Sequence, residues 1–245
     1  RCFVLDWPDQ GLVTTVTGFR VNPDNTSIVH HVIAYVIPPE LAGEYDLLDG
    51  ADGRPGYSCF GGIGGPAAFD PTADDGARWL GGWAPGGVGG EFPEGTGIPV
   101  QAGSRIVIQG HYHLDDEVPD PDQSVVEVMV DPTIPASNWA MILPYTDEGW
   151  LDSDTMSIPA GGTDVSHSFS MEMDEPFIVH TANLHMHNLG TAARLSIDRK
   201  DGSNECMLDI PRWDFNWQRS YRFTEAQLIE AGDALTVSCT WDNPT

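Results

Sequence analysis

Six of the eight histidines in the 245-residue chain fall in three tight pairs, His30-His31, His111-x-His113 and His185-x-His187. Imidazole is a common transition-metal ligand, and such pairing is how a sequence brings several imidazoles to one ion. On an extended strand, a spacing of two puts both rings on one face, roughly 7 Å apart at the backbone. His185 and His187 meet that condition directly. His30 and His31 point to opposite faces of a regular strand, so sharing a metal requires a bulge or a strand end there. His111 and His113 share a face, and spacing leaves either open as the ligand. His167 and His180 stand alone and read as structural; on a regular strand His180 lies opposite His185 and His187. An all-imidazole set without a thiolate pair suits copper, zinc, nickel or iron, and an oxidising compartment favours the first two.

The elements that must carry these pairs read as strands. Alternating or wholly apolar runs separated by Gly, Pro and Asp clusters predict strands over residues 27–37, 104–114, 124–130, 176–189, 192–197 and 233–241. Helical periodicity is nearly absent, its best candidate being 224–231, where Thr224 caps a turn or two before Gly232. The fold class is therefore all-β. Asp201-Gly202 between two such runs marks a tight antiparallel hairpin. The Gly- and Pro-rich stretch 50–97, with Trp79 and Trp83, lacks a long strand pattern and reads as an ordered functional loop. Length admits two domains, and Asp131-Pro132-Thr133-Ile134-Pro135 is the expected junction, giving domains 1–132 and 133–245.

Eleven basic residues against 37 acidic ones give a formal charge of -26. That charge repels phosphate backbones and anionic headgroups, so nucleic acid is not an expected partner. No apolar run is long enough to span a membrane, and no signal peptide is visible, so any leader is expected to have been removed. Cys2, Cys59, Cys206 and Cys239 are far apart and form no C-x-x-C; two structural disulfides in an oxidising compartment are the simplest account, which places the protein outside the cell or in a periplasm. Four cysteines allow three pairings.

Val29-His30-His31-Val32-Ile33, Gln109-Gly110-His111-Tyr112, Ile158-Pro159-Ala160-Gly161 and Leu184-His185-Met186-His187-Asn188-Leu189-Gly190 together resemble the type II copper, ascorbate-dependent monooxygenases. That family includes peptidylglycine α-hydroxylating monooxygenase and dopamine β-monooxygenase. The resemblance implies two consecutive antiparallel β-sandwich domains of jelly-roll type. It implies two coppers, an electron-transfer copper held by His30, His31 and His111, and an oxygen-activating copper held by His185 and His187 in the second domain. His113 is then not a ligand, Gln109 matches a glutamine that stands behind the first copper's ligands, and Cys2 pairs with Cys59. The implied activity is hydroxylation of a C–H bond in a small organic molecule by dioxygen, with ascorbate reducing both coppers; each copper stores one of the two electrons required.

Two features depart from the family. Its second copper also takes a methionine beyond the strand matching 234–241, whereas all seven methionines here precede Cys239, so the chain is expected to be truncated at its C-terminus. Met186 points away from the H-x-H face on a regular strand. The cysteine that follows the family methionine is missing too, which leaves Cys206 as the expected partner of Cys239. Peptide-hydroxylating members carry an arginine two residues before the H-x-H; Asn183 stands there, so a peptidylglycine substrate is not expected. A non-catalytic secreted copper-binding protein of the same fold is the alternative, and a zinc hydrolase using a three-histidine site the second.

Overall fold

A computed structural model of the protein describes residues 1–8, 13–59, 62–66, 76–113, 120–143, 145, 156–215 and 217–245. Its elements are β1 (Cys2–Asp6), β2 (Thr14–Asn22), β3 (Val29–Ile37), α1 (Pro39–Leu48), β4 (Arg78–Trp83), β5 (Gly90–Glu91), β6 (Ile98–Val100), β7 (Arg105–Tyr112) and β8 (Val125–Asp131), followed by β9 (Val165–Glu172), β10 (Phe177–Ala182), β11 (Gly190–Asp198), β12 (Asn204–Ile210), β13 (Tyr221–Ile229) and β14 (Ala234–Trp241). Pairing between named strands is antiparallel throughout, so the described residues form an all-β molecule with one short helix. Among the described residues, no helix is long and apolar enough to cross a membrane. The chain divides into two compact units, Arg1–Leu143 and Pro144–Thr245.

In unit 1 one sheet runs β1-β7-β3-β4, and a second is built on β2, which pairs with β5, β6 and β8. The apolar run of β3 is explained by cover on both its faces. Val29, Val32, Ala34 and Val36 join Val16, Phe19 and Leu80 in one core. Tyr35 and Ile37 point the other way, into a second cluster with Tyr45, Tyr57 and Val107. Helix α1, which starts on Pro39, supplies Tyr45 to that cluster; it buries only Ala42 and Tyr45, too narrow a stripe to announce itself as helical periodicity. Trp79 and Trp83 sit on β4 rather than in an irregular loop, with Trp79 stacked on Tyr35 at 6.2 Å between ring centroids. Parts of the 50–97 stretch, residues 60–61 and 67–75, lie outside the described residues. Residues 134–140 pack on unit 1: Thr15 Oγ1 donates to the Ile134 carbonyl, Asn138 Nδ2 to that of Gly95, and the Ala140 amide to that of Gly97.

Unit 2 holds the sheet β12-β11-β14-β9 and the ribbon β10-β13. Along β14, Leu235, Val237, Cys239 and Trp241 are buried in strict alternation and pack with Leu195, Ile197 and Ile229. The hairpin joining β11 to β12 turns at Asp201-Gly202, Gly202 supplying φ 88°. Beneath it the Arg199 guanidinium meets Asp233 at 2.7 Å and Glu205 at 2.7 Å, while the amides of Glu230 and Lys200 donate to the same Asp233 carboxylate.

Two expectations are corrected. Residues 224–231 lie on β13, not in a helix, because β10 offers that segment a ladder of backbone partners. Cys2 and Cys59 form the expected disulfide, with Cα atoms 5.9 Å apart, but Cys206 and Cys239 are both free thiols. Their strands, β12 and β14, flank β11 on opposite sides. Residues two strands apart are separated by roughly 10 Å, beyond the roughly 7 Å that a disulfide spans.

Candidate metal centres

In unit 1 the paired strands β3 and β7 set His31 directly opposite His111. Both belong to the face that farther along carries Tyr35 and Val107, so they stand at the end of a surface already covered by α1 and the 49–66 segment. The register of β3 shifts between Val29 and His31, and His30 is the extra residue. This bulge supplies what adjacent histidines require, because it lets His30 turn toward the side His31 occupies. His30 Nδ1 and His31 Nδ1 lie 3.2 Å apart. The ring centroids are 5.4 Å apart for His30 and His31, 5.0 Å for His30 and His111, and 4.4 Å for His31 and His111. One nitrogen from each of the three half-buried imidazoles falls within 4.8 Å of the others. Nitrogens so placed, with no carboxylate or thiolate among them, suit a borderline ion such as copper or zinc. Burial and the proximity of His30 lower the pKa of His111, which favours the neutral ring a metal needs.

His113 lies one residue past β7, its amide bonded to the Ile28 carbonyl, and is not part of the three-nitrogen group. Of the two histidines that the sequence leaves open, His111 is the one grouped with His30 and His31. Gln109 shares the His111 face, yet its amide donates to the Gly62 carbonyl at 2.6 Å and approaches Cys59 Sγ at 3.8 Å. It ties the 57–65 segment and the disulfide to β7 rather than bonding an imidazole.

In unit 2 the chain leaves the ribbon at Ala182, so His185 and His187 follow β10 instead of lying within it. The segment keeps its alternation: Ala182, Leu184 and Met186 are buried, whereas Asn183, His185 and His187 are exposed. Met186 therefore faces the core, opposite to the imidazoles. Gly190 allows this close return, since a Cβ there would lie 2.9 Å from Met186 Cβ. The two rings stand 5.1 Å apart and nearly perpendicular, at 85°.

Their surroundings come from the segment 211–220 between β12 and β13. Gln218 Nε2 donates to the Phe215 carbonyl at 2.9 Å, which leaves Gln218 Oε1 facing His185 Nδ1 within hydrogen-bond reach. An amide oxygen only accepts, so Nδ1 carries the proton and Nε2 keeps the lone pair. The Phe215 ring meets His187 edge-on at 6.2 Å. Sequence reasoning missed Gln218 and Phe215 because about thirty positions separate them from the H-x-H; the aromatic-rich run between two strands was the available signal. His167 bonds the Ser157 carbonyl through Nε2 at 3.0 Å. His180 sits where the β10-β13 register shifts, so strand parity does not fix its face.

Residues 137–245 match the family model described as copper type II ascorbate-dependent monooxygenase, C-terminal domain. The match includes His185, His187 and the 211–220 segment, and stops short of His30, His31 and His111. No curated protein sequence matches the chain.

Proposed function

We propose, from the match of residues 137–245 to the C-terminal domain of the copper type II ascorbate-dependent monooxygenases, that the protein is a secreted copper monooxygenase that hydroxylates a C–H bond of a small organic substrate with dioxygen and ascorbate. One copper belongs to each unit in this reading, on His30, His31 and His111 and on His185 and His187. The observation that carries it is the convergence of three imidazole nitrogens in unit 1, outside the matched region. Two jelly-roll-like sandwich domains, the family architecture, fit the paired sheets of each unit.

Copper held at these positions supplies one-electron redox chemistry and the reduction of dioxygen. The protein's part is to fix the nitrogens. Cross-strand pairing holds His31 against His111, and the bulge brings His30 to them without moving either strand. In unit 2, the Gln218 carbonyl keeps the His185 proton on Nδ1 and so presents Nε2. Phe215 sets an aromatic edge beside the His187 ring.

A second reading, a copper binder without catalysis, is favoured by one observation. Among the described residues, the His30 group is the only set of three or more His, Cys, Asp or Glu side chains placed to share an ion, and no third such ligand joins His185 and His187. The test is copper stoichiometry and EPR on protein loaded with Cu(II), followed by oxygen uptake with ascorbate. Two type II signals, one absent from His185→Ala/His187→Ala, together with uptake that needs both sites, support the monooxygenase. Two coppers with no uptake across amines, amides, carboxylates and aromatics support the binder. Preference for zinc throughout supports the hydrolase.

A further inference from the structure

We propose that unit 2 binds an aromatic carboxylate in the cavity formed by the 211–220 segment and the ends of β11, β12 and β13, with Arg212 holding the carboxylate. That this ligand is the substrate rests on the monooxygenase reading above; that it binds does not.

The cavity measures about 570 Å3, a size that takes one substituted ring. It reaches the histidines through shared residues. Asn188, next to His187, lines it, and so does Phe215, whose other neighbour is the His187 ring. Trp213, Trp217 and Tyr221 complete an aromatic wall, and a flat ring gains most from such faces. Trp217 is 59% exposed and so accessible to a ligand. Trp213 is nine-tenths buried in the same wall, and its indole N–H has no acceptor among the described residues.

Charge selects the second half of the ligand. In a chain of net charge -26, six of eleven cations, Arg1, Arg20, Arg54, Arg105, Arg199 and Lys200, are bridged to carboxylates. Arg212 lines the cavity and Arg219 lies over the Trp217 ring, its guanidinium carbon 5.1 Å from the centroid. Neither makes a salt bridge among the described residues. Asp214 is the one carboxylate among the lining residues. A guanidinium that makes no salt bridge among the described residues, beside aromatic side chains, matches an anion attached to a ring: the fork takes both oxygens while the ring lies on the indole.

The test uses phenylacetate, its neutral isostere phenylacetamide and the cation 2-phenylethylamine, titrated calorimetrically into metal-free full-length protein. Phenylacetate is expected to bind about tenfold or more tighter than the amide, the worth of a charge-assisted pair, and the amine weakest. Arg212→Gln should bring phenylacetate down to the amide, Arg212→Lys should restore part of the difference, and Trp217→Ala should weaken all three. If folded Arg212→Gln binds phenylacetate like the parent, or the amine binds tightest, the proposal is overturned. Deuterium ENDOR on copper-loaded protein with ring-deuterated phenylacetate then separates the two readings. A coupling lost in His185→Ala/His187→Ala places the ring beside that copper. Arg212-dependent binding without any coupling keeps the cavity and removes its role as the substrate site.

Discussion

In unit 1 the imidazoles hang from hydrogen-bonded strands, whereas in unit 2 they stand on extended chain that has left its sheet. His31 and His111 are a register pair, and their separation is set by the ladder itself. His185 and His187 have no such ladder; Gly190, Gln218 and Phe215 hold them instead. Ligands carried on paired strands are placed more precisely than ligands carried on loops. A site that only passes an electron gains from rigid placement. In the proposed function the second site admits dioxygen and substrate and would gain from exposed ligands and a neighbouring cavity; His185 and His187 are both exposed.

The largest effect should come from removing ligands. His111→Ala should abolish the first copper and leave the second, and His185→Ala/His187→Ala should do the reverse, read as copper per chain with EPR of each remaining signal. Loss of both coppers from either variant would show that the two groups are not independent. Next in size is reduction of Cys2–Cys59, whose partners lie 57 positions apart. Closing a loop of that length is worth about 4 kcal/mol in the chain-entropy account. Thiol reductant should therefore raise hydrogen exchange across peptides of unit 1 while peptides of unit 2 stay protected. Because Gln109 ties the same segment to β7 two residues from His111, the first copper should weaken in parallel.

Third is Gln218. Removing a partner that orients a histidine ligand commonly costs about 10–100-fold in metal affinity, so Gln218→Leu should weaken the second copper by that factor and leave the first unchanged. Gln218→Glu keeps the acceptor and should recover the affinity. A merely structural role for Gln218 would lower the melting temperature of both variants without a copper difference between them.

The same contrast explains how much was legible beforehand. Strands such as β3, β7 and β14 announce themselves because their burial pattern is written in consecutive residues. The need for a bulge at His30-His31 was also legible, since two adjacent residues cannot otherwise face one ion. What the sequence hides is pairing at a distance. The β10 partner that makes 221–229 a strand, the intervening β11 that keeps Cys206 from Cys239, and the Gln218 carbonyl at His185 each depend on residues brought together only by folding. Helix α1 was missed for a different reason, its two buried side chains leaving almost no periodic trace.

The smallest difference needs acid to show. Asp233 is almost wholly buried, and the Glu230 amide together with the Arg199 guanidinium holds its pKa at about 2 instead of 3.8. The unfolded chain therefore binds a proton more readily than the folded one, and this carboxylate's contribution, complete above its unfolded value, is lost as pH falls from about 4 to about 2. The depressed carboxylates of unit 1, Glu127 and Asp131 among them, are not buried in this way and their partners are open to solvent screening. Hydrogen exchange of unit 2 peptides should accordingly quicken through that window. Asp233→Asn should be less stable at neutral pH, having lost its charge pairing with Arg199, but flatter in acid. If parent and variant lose protection in parallel between pH 4 and pH 2, the acid response of unit 2 belongs to carboxylates other than Asp233.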